Sequence, residues 1–98
     1  MRTLLKITIP AEAGNKAIQD GTIQRVIGET MERLHPEAAY FLAEDGLRAG
    51  MFVFDLKDSS DIPSIAEPFF AGFNAAVEFI PVMNADDLKK GLERLSKK

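Results

Sequence analysis

The chain has no cysteine and no tryptophan, and it has one histidine and one tyrosine. Without cysteine, disulfides and thiolate metal sites are excluded, and a lone imidazole, His35, removes the common zinc ligand sets. No metal or other cofactor is expected. The missing cysteine also fits a reducing compartment, so a cytoplasmic protein is expected. Basic clusters are equally scarce. The formal net charge is −3, and Lys and Arg are scattered apart from the Lys97-Lys98 end. A nucleic-acid binder gathers such residues on one face to neutralise phosphates, so no nucleic-acid partner is expected. No apolar run approaches the roughly 20 residues that span a bilayer, which argues against a membrane partner. Arg2, Leu4-Leu5, Ala11 and Ala13 mimic an export signal, but Lys6 and Thr8 interrupt the apolar stretch.

What is present suits one globular core. The 98 residues are 46% hydrophobic and 28% charged, the mix of a single folded domain spanning residues 1–98. Residues 3–9 alternate, with Leu5, Ile7 and Ile9 on one side and Leu4, Lys6 and Thr8 on the other. This predicts a strand that Pro10 ends. Over residues 15–34, Ile18, Ile23, Val26, Ile27, Met31 and Leu34 recur at helical spacing, and His35-Pro36 closes that helix. Residues 38–44 and 47–56 form a hairpin about Asp45-Gly46, the dipeptide of type I′ turns. That register puts Phe41, Phe52 and Phe54 on one face and Tyr40, Leu42, Ala49, Met51, Val53 and Asp55 on the other.

A short helix follows, capped by Ser60 or Asp61 and kinked or shortened by Pro68. Its apolar side is Ile62, Ile65, Ala66, Phe69 and Phe70. Residues 74–82 read as a fourth strand. Asn84 then caps a last helix with the stripe Ala85, Leu88, Leu92 and Leu95. The leucines are expected to dock on the domain or across a dimer, leaving Ser96 to Lys98 frayed.

The order is β-α-β-β-α-β plus a C-terminal helix. This predicts an α+β, ferredoxin-like domain with a four-stranded antiparallel sheet. With both helices on the Leu5, Phe52 and Phe54 side, the opposite face carries Leu4, Lys6, Thr8, Tyr40, Leu42, Met51, Val53, Asp55, Glu78, Ile80 and Val82. That face is too apolar for water and too polar for a core, so a sheet-to-sheet homodimer or higher assembly of the chain with itself is expected.

Phe54-Asp55, Ser60-Asp61-Ile62, Pro68-Phe69-Phe70 and Phe79-Ile80-Pro81-Val82 resemble, in spacing, the second half of small dimeric α+β barrel proteins. The nearest branch is the muconolactone isomerase-like one. The resemblance implies a homodimer with pockets between sheet and helices. It covers about half the chain, brings no catalytic motif, and spans isomerases, cofactor-free monooxygenases, haem-degrading enzymes and proteins of unknown role.

Polar residues that packing does not explain are Lys6, Tyr40, Asp55, Glu78 and His35. Lys6, mid-strand, either snorkels past the sheet edge or stands between sheets near Asp55, Glu78 or Tyr40, where it would orient an acidic or carbonyl ligand. His35 suits a helix C-terminus, where positive charge meets the dipole, and is a weaker candidate for chemistry. Glu44-Asp45, Asp86-Asp87 and Asp58 with Asp61 lie at a turn, a helix start and a loop, without need of a metal. Two readings from different classes remain. In one, the dimer encloses an apolar pocket that binds or transforms a small organic molecule. In the other, the polar residues fix dimer register in a non-catalytic assembly module.

Overall fold

The computed structural model describes residues 1–96. Of the end expected to fray, Lys97 and Lys98 lie outside the described residues, while Ser96 is a helix cap whose N–H and hydroxyl both donate to the Glu93 carbonyl. Alternation in β1 (Arg2–Ile9) buries Thr3, Leu5, Ile7 and Ile9 on one face. Arg2, Leu4, Lys6 and Thr8 stay half-buried on the other. Pro10 stops the strand and immediately opens α1 (Ala11–Gln19).

A single helix over 15–34 is expected from the apolar period; two are found. α1 starts four residues earlier, and α2 (Thr22–Leu34) begins after a break at Asp20-Gly21. Gly21 takes φ +81°, a left-handed backbone that a helix interior does not admit. The Asp20 carboxylate then accepts from the Thr22 N–H at 3.0 Å, covering a donor that the new helix leaves open. α2 ends at His35, whose N–H donates to the Met31 carbonyl at 3.1 Å.

β2 (Ala38–Glu44) and β3 (Leu47–Asp55) pair with Glu44 opposite Leu47. Asp45 and Gly46 have φ of 52° and 79°, the two positive values of a type I′ turn. The Asp58 carboxylate accepts from the Ser60 N–H at 2.9 Å and so caps a 3₁₀ turn leading into α3 (Ile62–Phe73). Asp61 stands at the N-cap of α3, one of the two residues expected there, but its side chain makes no capping hydrogen bond. The capping side chain is that of Asp58, at the start of the preceding turn. β4 (Ala76–Pro81) follows Asn74, which is a left-handed helix cap instead of the first strand residue. Asn84 and Asp87 form a reciprocal capping box at the start of α4 (Ala85–Leu95).

The sheet order is β2-β3-β1-β4 with every pair antiparallel. This is an α+β fold with an open four-stranded sheet and four helices, compatible with a ferredoxin-like plan. The core lies between the sheet and α1 to α3. Phe52 stands against Phe69 at 6.4 Å, and Phe69 meets Phe73 edge-on at 5.9 Å. Each such ring, fully buried, stabilises the fold by about 1.5–3 kcal/mol.

Three expectations are corrected at the margins of that core. Phe41 points to the helix side, as its register requires, but is 56% exposed because β2 is an edge strand beyond the helices' cover. Phe70 falls at the flank of the α3 stripe and is also exposed. α3 runs through Pro68 to Phe73. Pro68 has no N–H for the Ser64 carbonyl four residues back; Arg33 of α2 donates to that oxygen instead, at 3.1 Å.

α4 buries none of its residues, and Leu88, Leu92 and Leu95 are exposed, so docking on its own domain does not occur. The Cα radius of gyration is 15.6 Å, against about 13 Å for a compact chain of this length. The extents are 56 × 28 × 18 Å.

Candidate functional site

The face of the sheet away from α1 to α3 is built from cross-strand rows. Pairing sets Tyr40 opposite Met51, Met51 opposite Lys6, and Lys6 opposite Glu78, one row across all four strands. Directly opposed side chains on one face approach within about 5 Å at Cβ, so neighbours in this row are within reach of one another. The flanking rows are Ala38, Val53, Leu4 and Ile80 on one side, and Leu42, Ala49, Thr8 and Ala76 on the other. The polar row is therefore framed by apolar ones.

Lys6 does not pair with Asp55. Its Nζ lies 2.5 Å from Glu44 Oε2, and its side chain is 20% exposed. The hydrogen bond to Glu44 raises the Lys6 pKa, with further charge attraction from Glu44, Glu78 and Asp45, against partial burial. An ammonium held in this way is a poor proton donor and no nucleophile near neutral pH. It suits hydrogen bonding to a polar group better than acid–base chemistry. Glu44 was legible in principle: the turn that sets Leu42 on this face sets Glu44 there too.

Of the other expected residues, Glu78 and Tyr40 share the row with Lys6, and Tyr40 is 67% exposed. Asp55 stands at the far end of β3, opposite Arg2. The Lys57 ammonium and the Met1 amine each reach it at 2.6 Å and draw its pKa down to about 2. His35 is elsewhere, at the end of α2. With Asp55 it lines a cleft of about 450 Å³ floored by Leu34, Phe54, Leu56 and Ile65. Arg33 and Lys57 on its rim are already engaged, by Ser64 and Asp55. The five expected residues thus divide: Lys6, Tyr40 and Glu78 in one row, Asp55 and His35 around a separate cleft.

At the same end as Asp55, Arg2 joins three segments. Its Nε donates to Glu37 at 2.7 Å and its guanidinium also binds Asp87 in the first turn of α4. Among the described residues no group of three or more His, Asp or Glu side chains is placed to hold a metal ion. No described helix is long and apolar enough to cross a membrane.

Fold and site together define a small α+β protein with one open, mixed-polarity sheet face. No protein-family model matches the chain, and no curated protein is significantly similar to it.

Proposed function

We propose that the protein is a self-associating small-molecule-binding module, in which two copies stack their open sheet faces and hold a small organic molecule between them. The observation carrying this reading is the make-up of that face. Leu42, Tyr40 and Ile80 are exposed and Leu4, Met51 and Val53 half-buried, around a paired Lys6. Such a patch in water is an association surface, and a two-fold axis lets one patch serve both copies. A mainly apolar space with a few convergent polar groups is also what small organic ligands require.

Glu44 and Glu78 surround Lys6 with negative charge. The row therefore suits a neutral molecule bearing carbonyl or hydroxyl groups, and would repel a free carboxylate. The spacing resemblance to the muconolactone isomerase-like branch supports the stacked arrangement without supplying a reaction. A second reading has its own support: the Lys6–Glu44 pair is complete within the chain, so it also serves as a strut fixing dimer register.

Light scattering at micromolar concentration, with a thermal-shift panel of neutral carbonyl compounds and matching carboxylates, separates these readings. The expected result is a dimer stabilised by neutral compounds, with that response lost in Lys6→Met. A dimer with no ligand response leaves the strut. A clean monomer removes both.

A further inference from the structure

We infer that α4 is an intermolecular arm, which packs its leucine stripe on the second copy of the chain and completes the dimer that the open sheet face begins. The inference rests on the stacked-sheet reading and adds to it a surface outside the sheet.

Ala85, Leu88, Leu92 and Leu95 recur at intervals of three, four and three, the narrow seam of a helix that meets one partner element. Among the described residues that seam is left largely open: Leu92 is 56% exposed and no α4 residue is buried. An 11-residue helix is too short to hold itself in water on propensity alone, so the seam needs a partner for the helix to persist. The capping box and the Arg2–Asp87 pair hold only its first turn.

Two arguments identify the occupant as a second copy. The first is continuity. Arg2 belongs to the open face, opposite Asp55 on β3, and it grips Asp87 at the root of α4. The stripe therefore begins at the rim of the open face, and a molecule covering one lies beside the other. The second is area. Four strands of about eight residues give a face about 19 Å by 26 Å, so two stacked faces bury about 1,000 Å² in all. That falls short of the roughly 1,200–2,000 Å² of stable interfaces. Two arms, each about 16 Å long and 10 Å wide, add about 650 Å² when both sides of each contact are counted. The total is then about the standard 1,600 Å². A two-fold axis supplies both arms at once.

The chain has no tryptophan, so Leu92→Trp places a single reporter on the seam. The expected result is blue-shifted emission where scattering reports a dimer, moving to the red on dilution to monomer. Leu88→Glu with Leu92→Glu should weaken association by about 100-fold or more. Both positions are exposed in the lone chain, so neither change endangers the monomer fold. A dimer whose Trp stays solvent-exposed, or whose association ignores the two glutamates, overturns the arm and leaves the stacked sheets standing. Blue emission that persists in the monomer means that α4 folds back on its own chain, and also overturns it. A parent chain that is monomeric throughout overturns arm and stacked sheets together.

Discussion

Arg33 on α2 donates to the carbonyl oxygen of Ser64, the acceptor that Pro68 leaves without a donor inside α3. A second nitrogen of the same guanidinium reaches Ser64 Oγ at 2.6 Å. One side chain thus repairs a helix at its proline and ties α2 to α3. Arg33→Leu should cost about 1 kcal/mol by removing this bond. Pro68→Ala restores the N–H, so in that background the Arg33 change should cost clearly less. Urea denaturation of the four proteins measures the coupling. Additive effects would show that the guanidinium contributes nothing through this oxygen.

Acid should loosen the end of β3. Asp55 has a folded-state pKa of about 2, below its ordinary 3.8, chiefly through the Lys57 hydrogen bond and then the Met1 amine. A depressed carboxylate contributes stability above the unfolded-state value and loses it as pH falls through the folded one. The loss therefore lies between about pH 4 and about pH 2. Asp55→Asn should flatten the stability curve in that window and leave its shape above it unchanged. The contribution is small because the pair is largely exposed. Denaturant midpoints at about pH 5 and about pH 2.5 test it; an equal drop in parent and variant would reject the assignment.

Gly50 should resist enlargement. A Cβ there would lie 3.2 Å from the Phe41 ring and 3.4 Å from Ile7. Phe41 uses the space to meet Phe52 edge-on, with centroids 5.7 Å apart. Gly50→Val should cost about 1–3 kcal/mol through overpacking. Phe41→Ala in the same protein should return part of that loss. If Gly50→Val melts like the parent, the ring moves aside at no cost.

In the lone chain, removing the α4 cap should act on the helix alone. Asn84 Oδ1 accepts from the Asp87 N–H at 2.8 Å, while Asp87 accepts from the Asn84 N–H at 3.1 Å. Asn84→Ala should cost that helix about 1 kcal/mol. Hydrogen exchange should then speed up over residues 85–95 while the core strands keep their protection. Faster exchange throughout the sheet would mean that α4 is coupled to the core.

The hairpin and both sheet faces were legible in the residues, because a period of two and the Asp45-Gly46 turn leave one register that buries Phe52 and Phe54. The break in the first helix was not. Ile18 and Ile23 stand five residues apart, off the helical period, and Ile18 is exposed. The regular spacing from Ile23 onward hid that one irregular step; the left-handed backbone at Gly21 is what separates α1 from α2. The exposure of Phe41 needed the strand order, which alternation within one strand does not contain. The site was legible as a face but not as contacts. Lys6, Tyr40 and Glu78 fall in one row, yet the ammonium reaches past β3 to Glu44, a choice made by side-chain reach and sheet twist. Asp55 lies opposite Arg2, four residues along β3 from the Met51 that faces Lys6. Register alone therefore keeps it apart from Lys6, and it pairs with Lys57 and the Met1 amine at that end of the sheet.

The projecting α4 also governs how a single chain moves through solvent. A body of 56 × 28 × 18 Å has a larger frictional coefficient than a sphere of equal mass. On a sizing column calibrated with globular standards, a lone chain therefore elutes early, as though it were heavier. The proposed packing of α4 on a second copy would make the particle more nearly isotropic and would shift elution the opposite way. The two effects compress the difference between one chain and two, so absolute mass from scattered light, rather than elution volume, distinguishes them.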